Sequence, residues 1–255
     1  EIKRYFSDSF FIWIPKEIVS GDIIFAEILS SSVKGTEQKE NGLILALADC
    51  SGHGVPGAFM TMIASTGLRR IIRDEGCHNP AEILKRLNFI VQTSLQQDTE
   101  HAISDDGLDI GICFIQLSVV SEQLSDNTQQ PTANSQLTFA GAKFPLIYIQ
   151  NGELNAIEGD KKSIGYKGSD LNFDFTNHTI PVTSGTCFYM YSDGLHDQLD
   201  ETRSRKFGKK RVRNLLKDNA LLPFEKQEEI LLEEFNKHKG DIERMDDVTA
   251  VGFRF

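Results

Sequence analysis

The order in which hydrophobic periodicities follow one another constrains this chain more than any single motif. Short runs rich in β-branched and aromatic residues come first: FFIWI (10–14), IIFAEILSS (23–31) and GLILALAD (42–49), separated by Gly, Ser and charged segments. They read as strands and as hairpin-linked neighbours. From Gly54 the spacing turns helical, with Ala58, Met62, Ala64, Ser65 and Leu68 forming a small-residue face, and a helix over Pro56–Ile72 is expected. A second helix has Asn79 as its cap, Pro80 in its first turn and Glu82 at the capping-box position. Its apolar stripe is Ile83, Leu84, Leu87, Ile90, Val91 and Leu95.

Strands resume with DIGICFIQLSVV, QLTFAGA, PLIYIQ, ELNAIE and TCFYMYSDG, broken by a polar stretch over Ser121–Gln136 that reads as a long hairpin loop. Two more helices are expected around Lys206–Leu216 and Phe224–His238, the second closed by Gly240, and DDVTAVGFRF supplies a final strand. Strands, two helices, strands, two helices and a last strand that rejoins the main sheets predict an α+β sandwich. With no internal repeat and no linker, residues 1–255 are read as one domain.

Acidic residues mark the ends of these runs. Asp49 follows LILALA, Asp193 follows CFYMYS, Asp246 and Asp247 precede VTAVGF, and Asp22 in VSGD precedes IIFAEI. Any one of them alone is a turn former. Together they place carboxylates wherever a buried strand meets a loop, and carboxylates gathered at one edge repel unless a cation compensates them. Hard oxygen ligands suit Mg²⁺ or Mn²⁺.

The loop DCSGHGVPG offers reactive alternatives, and each lacks a necessary part. A cysteine phosphatase loop needs an Arg shortly after Cys50, a P-loop needs Gly-Lys-Ser/Thr, and a serine hydrolase elbow needs G-x-S-x-G; none is present. The glycines then serve a tight turn that lets a main-chain carbonyl near Cys50 face a metal.

The bulk properties limit partners. The chain of 255 residues is 40% hydrophobic and 25% charged, with a net charge of −10, which disfavours nucleic acid and anionic membranes. The basic run RSRKFGKKRVR (203–213) is read as a solvated helix facing an acidic phosphoprotein. Cys50, Cys77, Cys113 and Cys187 show no CxxC spacing, as in a reducing compartment. No apolar stretch approaches the roughly 20 residues of a membrane span.

With VSGD, ADCSGHGVPGAFM, DGLDIG, FAGAKFPLIYI, YSDGLHDQ and DDVTAVGF in that order, the sequence resembles the PPM (PP2C-type) protein phosphatases, in their bacterial SpoIIE/RsbU branch. The resemblance implies an αββα sandwich, two central and mostly antiparallel β-sheets flanked by helices. It implies a dinuclear Mn²⁺ or Mg²⁺ centre that hydrolyses phosphoserine or phosphothreonine in proteins. Matched motif by motif, Asp49 would bridge both metals, Asp22 would serve the second directly or through water, Asp193 and Asp246 would hold the first, and the Cys50 carbonyl would complete the shell.

Asp106 and Asp109 are candidates for a third ion, a substrate contact or buried structural carboxylates. Eukaryotic relatives carry a general-acid histidine where Ser51 stands. His53 lies two residues further on and is read as a helix-start histidine bonded to loop backbone, and His196 as surface. The branch implies a small phosphorylated substrate resembling an anti-sigma-factor antagonist, an upstream sensor from which this domain was excised, a homodimer, and a cytoplasmic location with a tether to the inner membrane in the full-length protein. It also implies control by a sensor that repositions the helix after Gly54. A non-catalytic interaction module and a hydrolase of small phosphate esters are the rival readings.

Overall fold

The computed structural model describes residues 6–32, 39–100, 102–117 and 136–255. Among the described residues, ten strands form two antiparallel five-stranded sheets. One has the order β1 (Ser9–Ile14), β10 (Val248–Arg254), β9 (Cys187–Tyr191), β6 (Leu146–Gln150), β7 (Glu153–Ile157). The other runs β2 (Asp22–Ser32), β3 (Lys39–Cys50), β4 (Leu108–Leu117), β5 (Gln136–Ala142), β8 (His178–Pro181). Helices α1 (Gly54–Arg69) and α2 (Pro80–Ser94) cover the second sheet. A short α3 (Asp193–Asp197) follows β9, and α4 (Lys209–Asp218) and α5 (Phe224–Lys239) cover the first sheet.

Alternation along the central strands builds all three hydrophobic layers. Leu43, Leu45 and Leu47 of β3 meet Phe188, Met190, Val251 and Phe253 between the sheets. The intervening Ile44, Ala46 and Ala48 pack under α1 and α2. On the other side Tyr189, Tyr191 and Ala250 pack against Val212, Phe224 and Phe235 of α4 and α5. A strand buried on both faces carries no polar alternation, which is why these runs read as almost continuously apolar.

The expected αββα sandwich is observed, with local differences. β1 is no hairpin partner of β2; it pairs with β10 at the far end of the chain, Ser9 opposite Phe253, while β2 pairs with β3 in the other sheet. α1 runs on through a π-helical turn, Arg70–Asp74, in which Glu75 N–H donates to Arg70 O at 3.0 Å. α4 starts at Lys209 rather than Lys206, and α3 and β8 had no periodic signal because they are five and four residues long. Asn79 caps α2 as expected, accepting from Glu82 N at 3.1 Å. Of the loop expected over Ser121–Gln136, residues 121–135 lie outside the described residues and Gln136 opens β5.

Small residues let α1 sit on the end of β2. At Gly57 a Cβ would overlap the Gly52 carbonyl oxygen and lie 2.7 Å from the Gly21 Cα. The start of α1 and the loop before Asp22 therefore touch through bare backbone.

Candidate metal and phosphoryl site

At one end of the sandwich the positions that face the inter-sheet core change from apolar to acidic. Cross-strand register sets Asp22 opposite Asp49 and Asp49 opposite Asp109, on the same alternate positions that carry Ile24, Leu47 and Cys113 deeper in. From the facing sheet, Ser192 follows β9 and Thr249 stands early in β10, tied together by Ser192 N–H to Thr249 O at 2.9 Å and Thr249 N–H to Ser192 Oγ at 3.1 Å. Asp193 opens α3, and Asp246 and Asp247 end the loop that enters β10.

Like charges directly opposite on neighbouring strands are destabilising, and burial raises the cost of keeping them charged. Burial, then the charges of Asp22, Asp193 and Asp246, push Asp49 up to about 9. Burial pushes Asp22 up to about 7, with Asp247 and Asp246 adding to the shift while the hydroxyls of Ser192 and Thr249 oppose it. Asp193 is raised by burial and by Asp246, and Asp109 by burial against the opposing effects of Ser163 and Lys143. Oδ2 of Asp22 and Oδ1 of Asp109 are buried without a hydrogen-bond partner. Unpartnered buried carboxylate oxygens cost free energy unless something else satisfies them.

The adjacent acids divide their labour. Asp247 is 3% exposed and bonded to main chain, its Oδ1 accepting from Lys16 N–H and its Oδ2 from Gly21 N–H, both at 2.6 Å. It fastens the β1–β2 loop next to Asp22. Asp246 is exposed, one of its oxygens accepting from Asp247 N–H at 2.9 Å.

Asp49, Asp109, Asp193, Asp246, His53 and Tyr166 line a cavity of about 220 Å³, together with Cys50, whose thiol packs in the layer beneath α1 and is pushed up by burial. Asp22 lies behind Asp49, outside the lining. Asp106 is drawn aside to accept from Ser51 Oγ at 3.0 Å. His53 is bonded to side chains rather than to loop backbone: Lys16 Nζ donates to its Nε2 at 3.0 Å, and its Nδ1–H donates to Glu17 Oε1 at 2.6 Å. His196 is buried rather than on the surface, edge-on to Tyr191, and its pKa is lowered to about 4 by burial, reinforced by the charge of Lys209. The basic run carries ion pairs from Lys206 to Asp197, Arg211 to Glu234 and Arg213 to Glu158.

Sequence reasoning missed Ser192, Thr249, Asp247's clamp and Tyr166. The first two had a signal, since both continue the inward alternation of β9 and β10; Tyr166 sits in a loop that has none.

An all-oxygen donor set with two orphaned carboxylate oxygens fits a hard divalent cation. Among the described residues, no group of three or more His, Cys, Asp or Glu side chains is placed to hold a metal ion as it stands. Mg²⁺ in particular retains several waters, so an open set of carboxylates around a polar cavity suits it.

Two antiparallel sheets between helix pairs, with this acidic mouth, define a PP2C-like domain. The family model for SpoIIE, Stage II sporulation protein E, matches residues 39–255; the chain belongs to that family and is a PP2C-like phosphatase domain. No curated protein matches it. Among solved structures, the SiaA-PP2C domain of Pseudomonas aeruginosa is 27% identical, with a TM-score of 0.75 over 97% of this chain and 86% of that one. The PP2C phosphatase domain of SpoIIE from Bacillus subtilis, solved with a fragment of its regulatory domain, is 18% identical, with a TM-score of 0.66 over 97% of this chain and 63% of that one. The RsbU and RsbW domains of a Mycobacterium tuberculosis protein are 17% identical, with a TM-score of 0.66 over 97% and 60%. The last two likenesses show the fold alone, and this chain spans less than two thirds of each.

Proposed function

We propose that this domain is a metal-dependent phosphoserine/phosphothreonine protein phosphatase that works with two Mn²⁺ or Mg²⁺ ions. The observation that carries the reading is the row Asp22–Asp49–Asp109, three carboxylates placed side by side on adjacent strands with two of their oxygens unpartnered. Asp22, Asp49, Asp193 and Asp246, with the Cys50 carbonyl, would hold the ions. Bound there, they supply Lewis acidity, which activates water and neutralises phosphoryl charge. The chain's own part is to fix that set: Asp247 holds Gly21 and so Asp22, and the glycine contact of α1 orders the loop after Asp49.

Family membership supports a phosphoprotein substrate in a partner-switching system, one resembling an anti-sigma-factor antagonist, and an upstream sensor acting through α1. A cytoplasmic location and a homodimer belong to the same reading.

The test is phosphate release from a phosphoserine protein with Mn²⁺, repeated after chelation and with Asp193→Asn; both controls should abolish turnover. The single tryptophan gives a second readout, because Trp13 Nε1–H donates to the Asp22 carbonyl at 3.1 Å. Mn²⁺ should quench its fluorescence and EDTA restore it. Turnover that survives chelation sinks the metal mechanism, and a folded protein without turnover favours the interaction module.

A further inference from the structure

The cavity that receives the phosphoryl group in the proposed function, on which this inference rests, is walled by Asp49, Asp109, Asp193 and Asp246. Carboxylates repel a phosphate monoester, so besides cations the site needs a hydrogen-bond donor. Three lining side chains carry a strong one: Ser51, His53 and Tyr166. Two are committed. Ser51 Oγ–H donates to Asp106 Oδ1 at 3.0 Å while the same oxygen accepts from Gly107 N–H at 3.1 Å. His53 has both ring nitrogens engaged, by Lys16 and by Glu17. The hydroxyl of Tyr166 has no hydrogen-bond partner among the described residues.

Tyr166 is held with unusual care for a loop residue. Nε2 of Gln92 donates to its carbonyl and to that of Ser169, both at 2.7 Å. Asn88 Oδ1 accepts from Gly165 N–H at 2.8 Å, and Gln97 Nε2 donates to the Gly165 carbonyl. These amides are 2–3% exposed, so the clamp is dry. The ring lies over Gly107, where a Cβ would overlap it and the Ile164 carbonyl. Backbone bonds between Leu108 and Ile164, at 2.9 and 3.1 Å, tie this loop to the strand that carries Asp109.

We infer that Tyr166 is a catalytic residue whose phenol hydroxyl donates a hydrogen bond to a non-bridging oxygen of the substrate's phosphoryl group. Burial, then the charges of Asp109 and Asp49, push this phenol up to about 12. No proton is transferred and no bond is made; the contact positions the phosphoryl group and takes up part of its charge.

The test compares wild type with Tyr166→Phe, which removes one unpartnered hydroxyl and leaves the ring on Gly107. Hydrogen bonds to charged groups correspond to about a tenfold effect or somewhat more. With Mn²⁺ bound, the variant should show about a tenfold lower kcat/KM on p-nitrophenyl phosphate. Its affinity for inorganic phosphate, measured by titration calorimetry, should be about tenfold weaker. Quenching of Trp13 by Mn²⁺ should occur at an unchanged metal concentration. An active wild type with an equally active, equally phosphate-binding variant overturns the assignment of Tyr166 and leaves the phosphatase reading standing. A shift in the Mn²⁺ concentration required also overturns it, since the hydroxyl would then serve the metal site. A wild type that neither turns over nor binds phosphate removes the proposed function and this inference with it.

Discussion

Asp246 and Asp247 are adjacent in the chain and differ in everything the fold imposes on them. Asp247 →Ala would strand the Gly21 and Lys16 amides, one of them buried, and each lost charge-assisted bond matters. The expected outcome is a loss of about 3 kcal/mol in urea unfolding. Asp246→Asn, at an exposed carboxylate, should change stability by no more than about 0.5 kcal/mol while turnover disappears. Equal stability of the two variants would show that the clamp is not needed. The pair also shows what a sequence can reveal: that acids end the loop before β10 is plain from DDVTAV, but which one turns to the backbone depends on Lys16 and Gly21, more than 200 residues away.

His196 gives the pH dependence at the same scale. It faces Lys209, Asp197, Lys206 and Arg213, stacks edge-on against Tyr191 and leaves Nδ1 buried without a partner. Its folded pKa, about 4, lies below the ordinary 6.5. The unfolded chain therefore takes up a proton that the folded chain refuses, and the stability this histidine contributes above pH 6.5 is lost as pH falls towards 4. Urea midpoints should decline over that window, and His196→Leu should flatten the decline. An unchanged slope would mean that other groups cause it. As a histidine in a polar octapeptide, His196 looked exposed; its burial follows from β9 and α4 closing over it.

At the scale of elements, α2 is more than a cover for the sheet. Asn88 and Gln92, four residues apart on one face, and Gln97 just past its end reach two loops that have no regular structure of their own. Gln97 alone bonds both backbone groups of Asp106, accepting from its N–H at 2.6 Å and donating to its O at 2.7 Å. Gln97→Met keeps the volume and strands these groups, so a loss of about 2 kcal/mol is expected. Hydrogen exchange should quicken at residues 104–107 and 163–166 and stay slow in β9 and β10. Unaltered protection of those loops would mean that the strand bonds between Leu108 and Ile164 suffice. The helix itself was legible from its cap and stripe. The amides on its buried face broke that stripe without announcing a purpose, because their partners come from elsewhere in the chain.

For the molecule as a whole, three apolar layers leave one acidic mouth, and the layer between the sheets bears on both. Leu45, fully buried there, should cost about 3–4 kcal/mol when changed to Ala. Since the proposed ligands are divided between the two sheets, this variant should also require more Mn²⁺ to quench Trp13. Normal metal response in a destabilised protein would show that the mouth is held by its own bonds, such as those of Asp247, rather than by sheet packing. Either outcome is read by thermal unfolding alongside the fluorescence titration.

The sequence by itself determined the kinds and order of most elements, the sandwich class and the four aspartates at strand ends, because periodicity and caps are written in neighbouring residues. Tertiary structure alone decided that β1 joins β10, that Asp49 stands between Asp22 and Asp109, that Asp247 holds backbone, that His196 is buried and that Tyr166 reaches the cavity. Each of those depends on register or burial between segments far apart in the chain. Strand pairing is chosen by the packing of whole faces, and local pattern carries no record of the partner.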